Sequence, residues 1–350
     1  MRLLWIGKAA TDGAAGDEIY DRRILGLLRE MDQVDVATFH PSAAAPLNRA
    51  TNVLRGYPWY RDRYMSEANT RAARGAAAEA DVVLVSWEPF DGLVPLLGKP
   101  AIPILHNVTS LSLRAMYPSS VPARLLSMVA ARWERTLYGR LNQVVVLSLA
   151  DQQHIQRIAP RAAVTYAPPG MPKAVPLSGD ARFEASIILS GTYGWRPKRR
   201  DLLAFVAAYR ESGLDAPVFA DGLPSEVAGI ARPMADLDPA SAIRIGVIPD
   251  RFSAGHKLKV AAYVAMNAVP VAFCDLGEEF ACPEAPDLIL DKATPEKLAA
   301  HIRYLEAMPP LELRSKWDRL QAHFVRRFSW EATAAAICEV AEQAVFQSSR

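Results

Sequence analysis

A chain of 350 residues is long enough for about two domains of ordinary size. With 51% hydrophobic and 22% charged residues it has the composition of a protein that folds around cores in water, which excludes the disordered, collagen-like and transmembrane classes. Lys+Arg 40 against Asp+Glu 38 leaves +2 at pH 7, so no global field draws the molecule onto nucleic acid or anionic lipid, and any basic partner surface is local.

The first residues, Met1-Arg-Leu-Leu-Trp-Ile-Gly7, form a short apolar run that stops at a glycine. This reads as a strand buried on both faces rather than a signal peptide. After the small-residue loop from Lys8 to Asp17, the residues Tyr20, Ile24, Leu27, Leu28 and Met31 share one helical stripe. Val34 to Phe39 is the next strand. Strand, loop, helix, strand opens a doubly wound sheet.

An insertion follows in which Arg55-Gly-Tyr-Pro-Trp-Tyr-Arg-Asp-Arg-Tyr64 interleaves rings and arginines. That pattern suits base stacking, but in a near-neutral chain an acceptor-facing or membrane-facing loop is the stronger reading. Asp81 to Ser86 and Ile102 to Leu105 read as buried strands. Ligands in open parallel sheets sit beyond the carboxyl ends of strands, which makes Glu88, Asp91, His106 and Asn107 candidates by position. The His106 ring either packs on the core or faces the cleft, and Asp17 either caps the first helix or serves as a base or acceptor-hydroxyl ligand. The stretch from Leu113 to Arg140 mixes Arg114, Arg124, Arg132, Arg135 and Arg140 with Leu, Met, Val and Trp, and a helix is expected from about Pro122. It fits an amphipathic basic helix beside anionic headgroups, or a helix packed on the sheet with its arginines in solvent.

Val144 to Ser148 is the next strand. The run Ala167-Pro-Pro-Gly-Met-Pro172 continues neither a helix nor a central strand and is the best linker in the chain. The α/β rhythm then restarts with strands at 186–191, 216–220, 243–248 and 269–273 and helices at 198–212 and 257–266, and the chain is almost entirely helical from 294 to 345. Three cysteines without CxxC spacing (Cys274, Cys282, Cys338) argue against a disulfide framework or a zinc site and fit a reducing cytoplasm. No stretch approaches the roughly 18 uncharged apolar residues that span a bilayer.

Two loops carry anion-binding chemistry. Ile243 to Ile248 feeds a loop with Ser253 and Gly255, and Lys257 and Lys259 stand in the first turn of the following helix, where the helix dipole disfavours cations. A bound diphosphate removes that conflict; the alternative is a Ser-capped surface helix with solvated lysines. Gly191-Thr-Tyr-Gly-Trp-Arg196-Pro-Lys198-Arg-Arg200 repeats the arrangement at another strand-to-helix junction, the alternative being an ordinary basic loop.

Together with Ala254-Gly-His-Lys-Leu-Lys-Val260, Val269-Pro-Val271 and Arg327-Phe-Ser-Trp-Glu331, these segments resemble nucleotide-sugar glycosyltransferases of the two-Rossmann GT-B architecture, family 4 type. The likeness is specific after residue 186 and architectural before about residue 130. It implies an α/β fold of two Rossmann-like doubly wound domains facing across a cleft, with a C-terminal helical tail. The domains would be an acceptor domain over 1–168, a donor domain over 169–325, and a helix over 326–350 returning to the first. It implies a hexosyl- or uronosyl-transferase acting without metal or cofactor, with a nucleotide diphosphate sugar as co-substrate and a saccharide or lipid-linked saccharide as acceptor. No nucleic-acid partner is expected, and the location is cytoplasmic, with peripheral contact to an anionic membrane. Gly191, Arg196, Lys198, Ser253, Gly255, His256 and Lys257 would hold the donor diphosphate. Asp17, Glu88 and His106 would be the catalytic candidates. The family's ribose-binding glutamate is absent, since Ala261-Ala-Tyr263 occupies its stretch; Glu278 and Glu279 either replace it or are solvated loop charges. The rival readings are a nucleotide-sugar isomerase of the same architecture and a non-catalytic nucleotide-sugar-binding protein.

Overall fold

Branched and leucyl runs too short for helices become the centres of two parallel sheets. The computed structural model describes residues 1–9, 16–43, 52, 58 and 63–348; the middle of the Lys8–Asp17 loop and most of the Arg55–Tyr64 stretch lie outside them. The chain divides into two units, one made of Met1–Pro169, Ala254–His256 and Trp330–Arg350, the other of Gly170–Ser253 and Lys257–Ser329.

In the first unit, β1 (Arg2–Ile6), β2 (Asp35–Phe39), β3 (Val82–Ser86), β4 (Ala101–Leu105), β5 (Gln143–Val146) and β6 (Ala163–Tyr166) form an all-parallel sheet in the order β2-β1-β3-β4-β5-β6. The direction of winding reverses between β1 and β3, which makes their carboxyl ends a switch point. Helix α1 (Gly16–Arg29) lays Tyr20, Ile24 and Leu28 on the sheet. Asp17 is therefore the second helical residue, inside the first turn rather than at the cap. Helix α2 (Glu67–Ala78) is capped by the Ser66 side chain, which accepts from the Asn69 N–H. It was not legible in the sequence because its inward stripe is Asn69, Ala73 and Ala77, with no large apolar side chain to mark a period.

A separate helix, α3 (Thr109–Met116), takes in Leu113 and Arg114, and the helix expected from about Pro122 to Arg140 follows it as α4 (Val121–Tyr138). Pro118 ends the first, and Ser120 caps the second by accepting from the Ala123 N–H. Helix α5 (Leu149–Ile158), capped by Ser148, precedes β6.

In the second unit, β7 (Arg182–Leu189), β8 (Val218–Ala220), β9 (Ala231–Arg232), β10 (Ala242–Ile248) and β11 (Ala268–Ala272) form a parallel sheet in the order β11-β10-β7-β8-β9. Helix α6 (Arg196–Glu211) follows β7, and α7 (Leu258–Ala265) links β10 to β11. Counted within the unit this is the 3-2-1-4-5 order of a Rossmann sheet, with its switch point between β7 and β10. Helices α8 (Pro295–Ala307) and α9 (Pro310–Arg327) complete the unit. Phe328 stays in this core beside Phe280 and Phe324, so the return to the first unit begins at Trp330 and not at 326. Helix α10 (Trp330–Ser348) then places Ala334, Ile337, Ala341 and Ala344 in the core of the first unit, with Leu3, Trp5 and Tyr20. Among the described residues no helix is long and apolar enough to cross a membrane.

Candidate functional site

In the second unit the carboxyl ends of β7 and β10 hold three lysines around one carboxylate. Lys257 occupies the cap position of α7, and its Nζ lies 3.2 Å from Asp250 Oδ2, with both side chains buried. Burial pushes the Asp250 carboxyl upward, but Lys257, Lys259 and Lys198 outweigh it and hold the group below its ordinary value. Lys259 points to the Gly191 backbone, with its Nζ 4.8 Å from the Tyr193 ring centroid and no hydrogen-bond partner among the described residues. Desolvation pulls its ammonium down to about 8, Asp250 opposing. Burial lowers Lys198 as well, again against the pull of Asp250. One carboxylate thus faces three buried or half-buried cations, an arrangement that lacks negative charge.

The backbone is cut to fit this cluster. Gly191 has φ 115°, and an added Cβ would stand 2.5 Å from Lys259 Cε. Tyr263 Oη donates to the Val247 carbonyl at 2.8 Å and accepts from the Ser190 N–H at 2.9 Å, tying the ends of β7 and β10 together. Arg196 begins α6 as an exposed residue, so of the basic pair singled out in that loop Lys198 joins the cluster and Arg196 remains at the surface. Trp195 is half exposed and packs edge-on against Phe252, whose ring also lies 5.0 Å from Lys257 Nζ.

Ser253 is half-buried, while Ala254, Gly255 and His256 belong to the first unit. There Gly255 has φ 61°, and an added Cβ would come within 2.2 Å of the His106 carbonyl oxygen. Glu278 is exposed and Glu279 buried on a short 3-10 turn after β11. Lys259, which the sequence places beside Lys257 in the first helical turn but which is not among the expected donor-binding residues, lies in the lysine cluster around Asp250. Its place in the first helical turn was visible, but its lack of a partner was not.

In the first unit the switch point carries a different chemistry. Lys8 pairs with Asp17, and its Nζ lies 3.7 Å over the Trp87 ring. Burial lowers Lys8, and Glu88, Glu18 and Asp21 oppose that. Trp87 has φ 84°, strained for a bulky side chain, and strain of this kind persists only where the surroundings hold it. Glu88 is buried at the start of a 3-10 helix and accepts from Asn107 Nδ2 at 3.1 Å; Asp91 is buried and accepts from the Tyr138 hydroxyl.

Behind these residues runs a buried chain. Ser86 Oγ donates to Asp21 Oδ1 at 2.5 Å and lies 2.9 Å from His106 Nε2. Burial raises Asp21 to about 6 and lowers His106 to about 3. His106 stacks edge-on against Tyr20 at 5.1 Å, so the ring packs in the core and is not open to a ligand. A buried imidazole held neutral down to about 3 is a poor general base at neutral pH.

Among the described residues one group has side chains close enough together to hold a cation, Cys282, Glu284 and His323. Arg326 reaches Glu284 at 3.6 Å, which places a cation there already.

No protein-family model and no curated protein sequence matches the chain. Solved structures do. Sucrose-phosphate synthase from Thermosynechococcus elongatus superposes with a TM-score of 0.69 at 14% identity, covering 99% of each chain. The trehalose-phosphate synthase (UDP-forming) of Burkholderia vietnamiensis gives 0.61 at 11% identity, over 100% of this chain and 98% of the other. HepE of Anabaena, solved with UDP and glucose, gives 0.60 at 13%, over 98% and 100%. The expected fold is therefore present: two Rossmann-like units of the GT-B type with a long C-terminal helix.

Proposed function

We propose that the chain transfers a sugar from a nucleoside-diphosphate sugar to a hydroxyl of a saccharide or lipid-linked saccharide acceptor, in the cytoplasm. The observation that carries this reading is the excess of buried positive charge at the switch point of the second sheet, where Lys198, Lys257 and Lys259 share Asp250. A nucleoside diphosphate brings the negative charge that this pocket lacks. The UDP held by HepE of Anabaena supports the same ligand class here.

As the bond between the anomeric carbon and the diphosphate oxygen breaks, negative charge grows on the departing phosphate, and the fixed ammonium groups stabilise it without reorganising. Protein cations do this work, and the proposal invokes no metal or cofactor. The acceptor oxygen forms the new bond to the anomeric carbon and gives its proton to the leaving diphosphate or, if the reaction inverts, to a carboxylate. On the acceptor unit Asp17, paired with Lys8, and Glu88, next to Trp87, are the candidate carboxylates, since Asp21 is engaged with Ser86; His106 does not serve. Glu279 or Glu278 would take the ribose role left open by the Ala261-Ala-Tyr263 stretch.

A thermal-shift screen of nucleotide sugars tests the donor half. We expect at least one nucleoside diphosphate to raise the melting temperature and Lys259→Met to remove most of that rise. No shift by any nucleotide would overturn the reading. A new epimer from donor alone would make the protein an isomerase, and tight binding without turnover on any acceptor would make it a binding protein.

A further inference from the structure

Helix α4 is built inside out. Before its last turn, which buries Leu137 and Tyr138, the face turned to the protein carries Ala123, Ser127, Ala130 and Glu134, all less than about one-tenth exposed. Ser127 donates to the Ser110 carbonyl at 2.9 Å and receives Arg114 Nε at 3.0 Å, and Glu134 accepts from the Ser110 N–H at 3.1 Å. The face turned outward carries Val121 (63% exposed), Leu125 (59%), Met128 (58%) and Val129 (53%), with Leu126 and Tyr117 beside them. A helix on the surface of a globular protein normally does the reverse. Val121, Leu125, Met128 and Arg132 follow one another at i, i+4, i+7 and i+11, a ridge about 17 Å long at 1.5 Å per residue.

Charge decides what covers this ridge. Arg124, Arg132 and Arg135 are exposed along it, and the only acid between Thr109 and Arg140 is the buried Glu134. A second copy of the chain meeting this face by two-fold symmetry would set arginine against arginine. An anionic lipid surface instead takes the apolar side chains into the acyl boundary and pairs the guanidinium groups with headgroups, the long arginine stems reaching past the ridge. Tyr117, at the entry to the helix, suits the depth of the headgroups.

We infer that the outer face of α4 is a membrane-docking surface that seats the protein on anionic lipid through Val121, Leu125, Met128 and Val129 inside a rim of arginines. The inference does not depend on sugar transfer, because vesicle binding and nucleotide binding are read separately.

The test is flotation of the full chain with vesicles of phosphatidylcholine alone and of phosphatidylcholine with about one-third phosphatidylglycerol. We expect binding to the anionic vesicles only, weakened about tenfold or more by raising salt from about 0.1 M to about 0.5 M. The double variant Leu125→Glu/Val129→Glu should bind at least about tenfold more weakly and keep the wild-type melting temperature, since neither side chain is in the core. Arg124→Gln/Arg132→Gln should lose the preference for anionic lipid. Failure of the wild-type chain to float with anionic vesicles would overturn the inference, as would unchanged binding of the glutamate variant. A monomer–dimer equilibrium abolished by the glutamate variant, in a chain indifferent to lipid, would assign the face to a second copy instead.

Discussion

At the scale of single residues, the informative feature is a lysine without a hydrogen-bonded counter-ion. Lys257 pairs directly with Asp250, whereas Lys259 is half-buried, its ammonium nitrogen is shielded from solvent with no hydrogen-bond partner among the described residues, and desolvation pulls it down to about 8. Its proton is therefore held below that value and lost above it, and with it the attraction for a diphosphate. Affinity for nucleoside diphosphates should be full at neutral pH and fall as pH rises through about 8, while Lys259→Met should bind weakly at every pH and show little slope; titration calorimetry across that range is the check. Asp21 and His106 make a second case. Asp21 is raised from 3.8 to about 6, so its contribution to stability is present below about 4 and lost as pH climbs through about 6. His106 is lowered from 6.5 to about 3, so its contribution is present above 6.5 and lost as pH falls towards about 3. Near pH 5 the folded pair holds one proton on Asp21 and the unfolded pair one on the histidine, so the pair adds almost no slope between about pH 4 and 6. Urea titrations of Asp21→Asn should show stability rising with pH in that window, and those of His106→Gln should show it falling. Equal slopes in the two variants would refute the pairing.

At the scale of elements, strands buried on both faces were legible because nothing but a β-branched or leucyl run fits between two layers of helices, as Val82 to Val85 shows. The elements that were not legible lacked such a signal. Helix α2 buries alanines and an asparagine, and the first turns of α4 carry their large apolar residues outward, so the periodicity there points to the wrong face. The two basic strand-to-helix loops that we propose bind a diphosphate stand out in the sequence by residue type and position. What the loops do not disclose is pairing, because that is a tertiary fact: Asp250 lies in the loop after β10 and selects Lys257, and nothing local in the sequence separates Lys257 from Lys259 or shows that Arg196 lies at the surface. The join between β7 and β10 gives a prediction of its own. Gly246, in mid-strand, lies so close to the Tyr263 ring that an added Cβ would fall 2.3 Å from it. Gly246→Ala should cost about 1–3 kcal/mol by overpacking a core with no slack. It should also loosen the Ser190 end of β7, so nucleotide affinity falls with stability. Tyr263→Phe keeps the ring and strands the Ser190 N–H, costing about 1–3 kcal/mol without overpacking.

At the scale of the whole molecule, the chain leaves its first unit at Pro169, builds a second, and comes back at Trp330 to finish the first. The return is a matter of core and not of a loose tail. Thr333 Oγ1 donates to the Pro168 carbonyl, and Ile337, fully buried, sits with Trp5, Tyr20 and Ile24 in a core that α1 and β1 cannot close alone. The alanines at 334, 341 and 344 let the helix approach closely, leaving Ile337 as the bulk that fills the space. We expect two cores of this kind to unfold in two cooperative transitions, each with a melting temperature of its own. Ile337→Ala removes buried volume from the first core only and should cost about 2–5 kcal/mol there, which is a fall of about 5–15 °C in one calorimetric transition. The second core, whose lysine cluster binds the nucleotide in our reading, contains no atom of α10. Its transition should stay in place and should still rise on adding nucleoside diphosphate. If both transitions fall together, the two cores are one folding unit; if the nucleotide raises only the weakened transition, the binding site has been assigned to the wrong half of the chain.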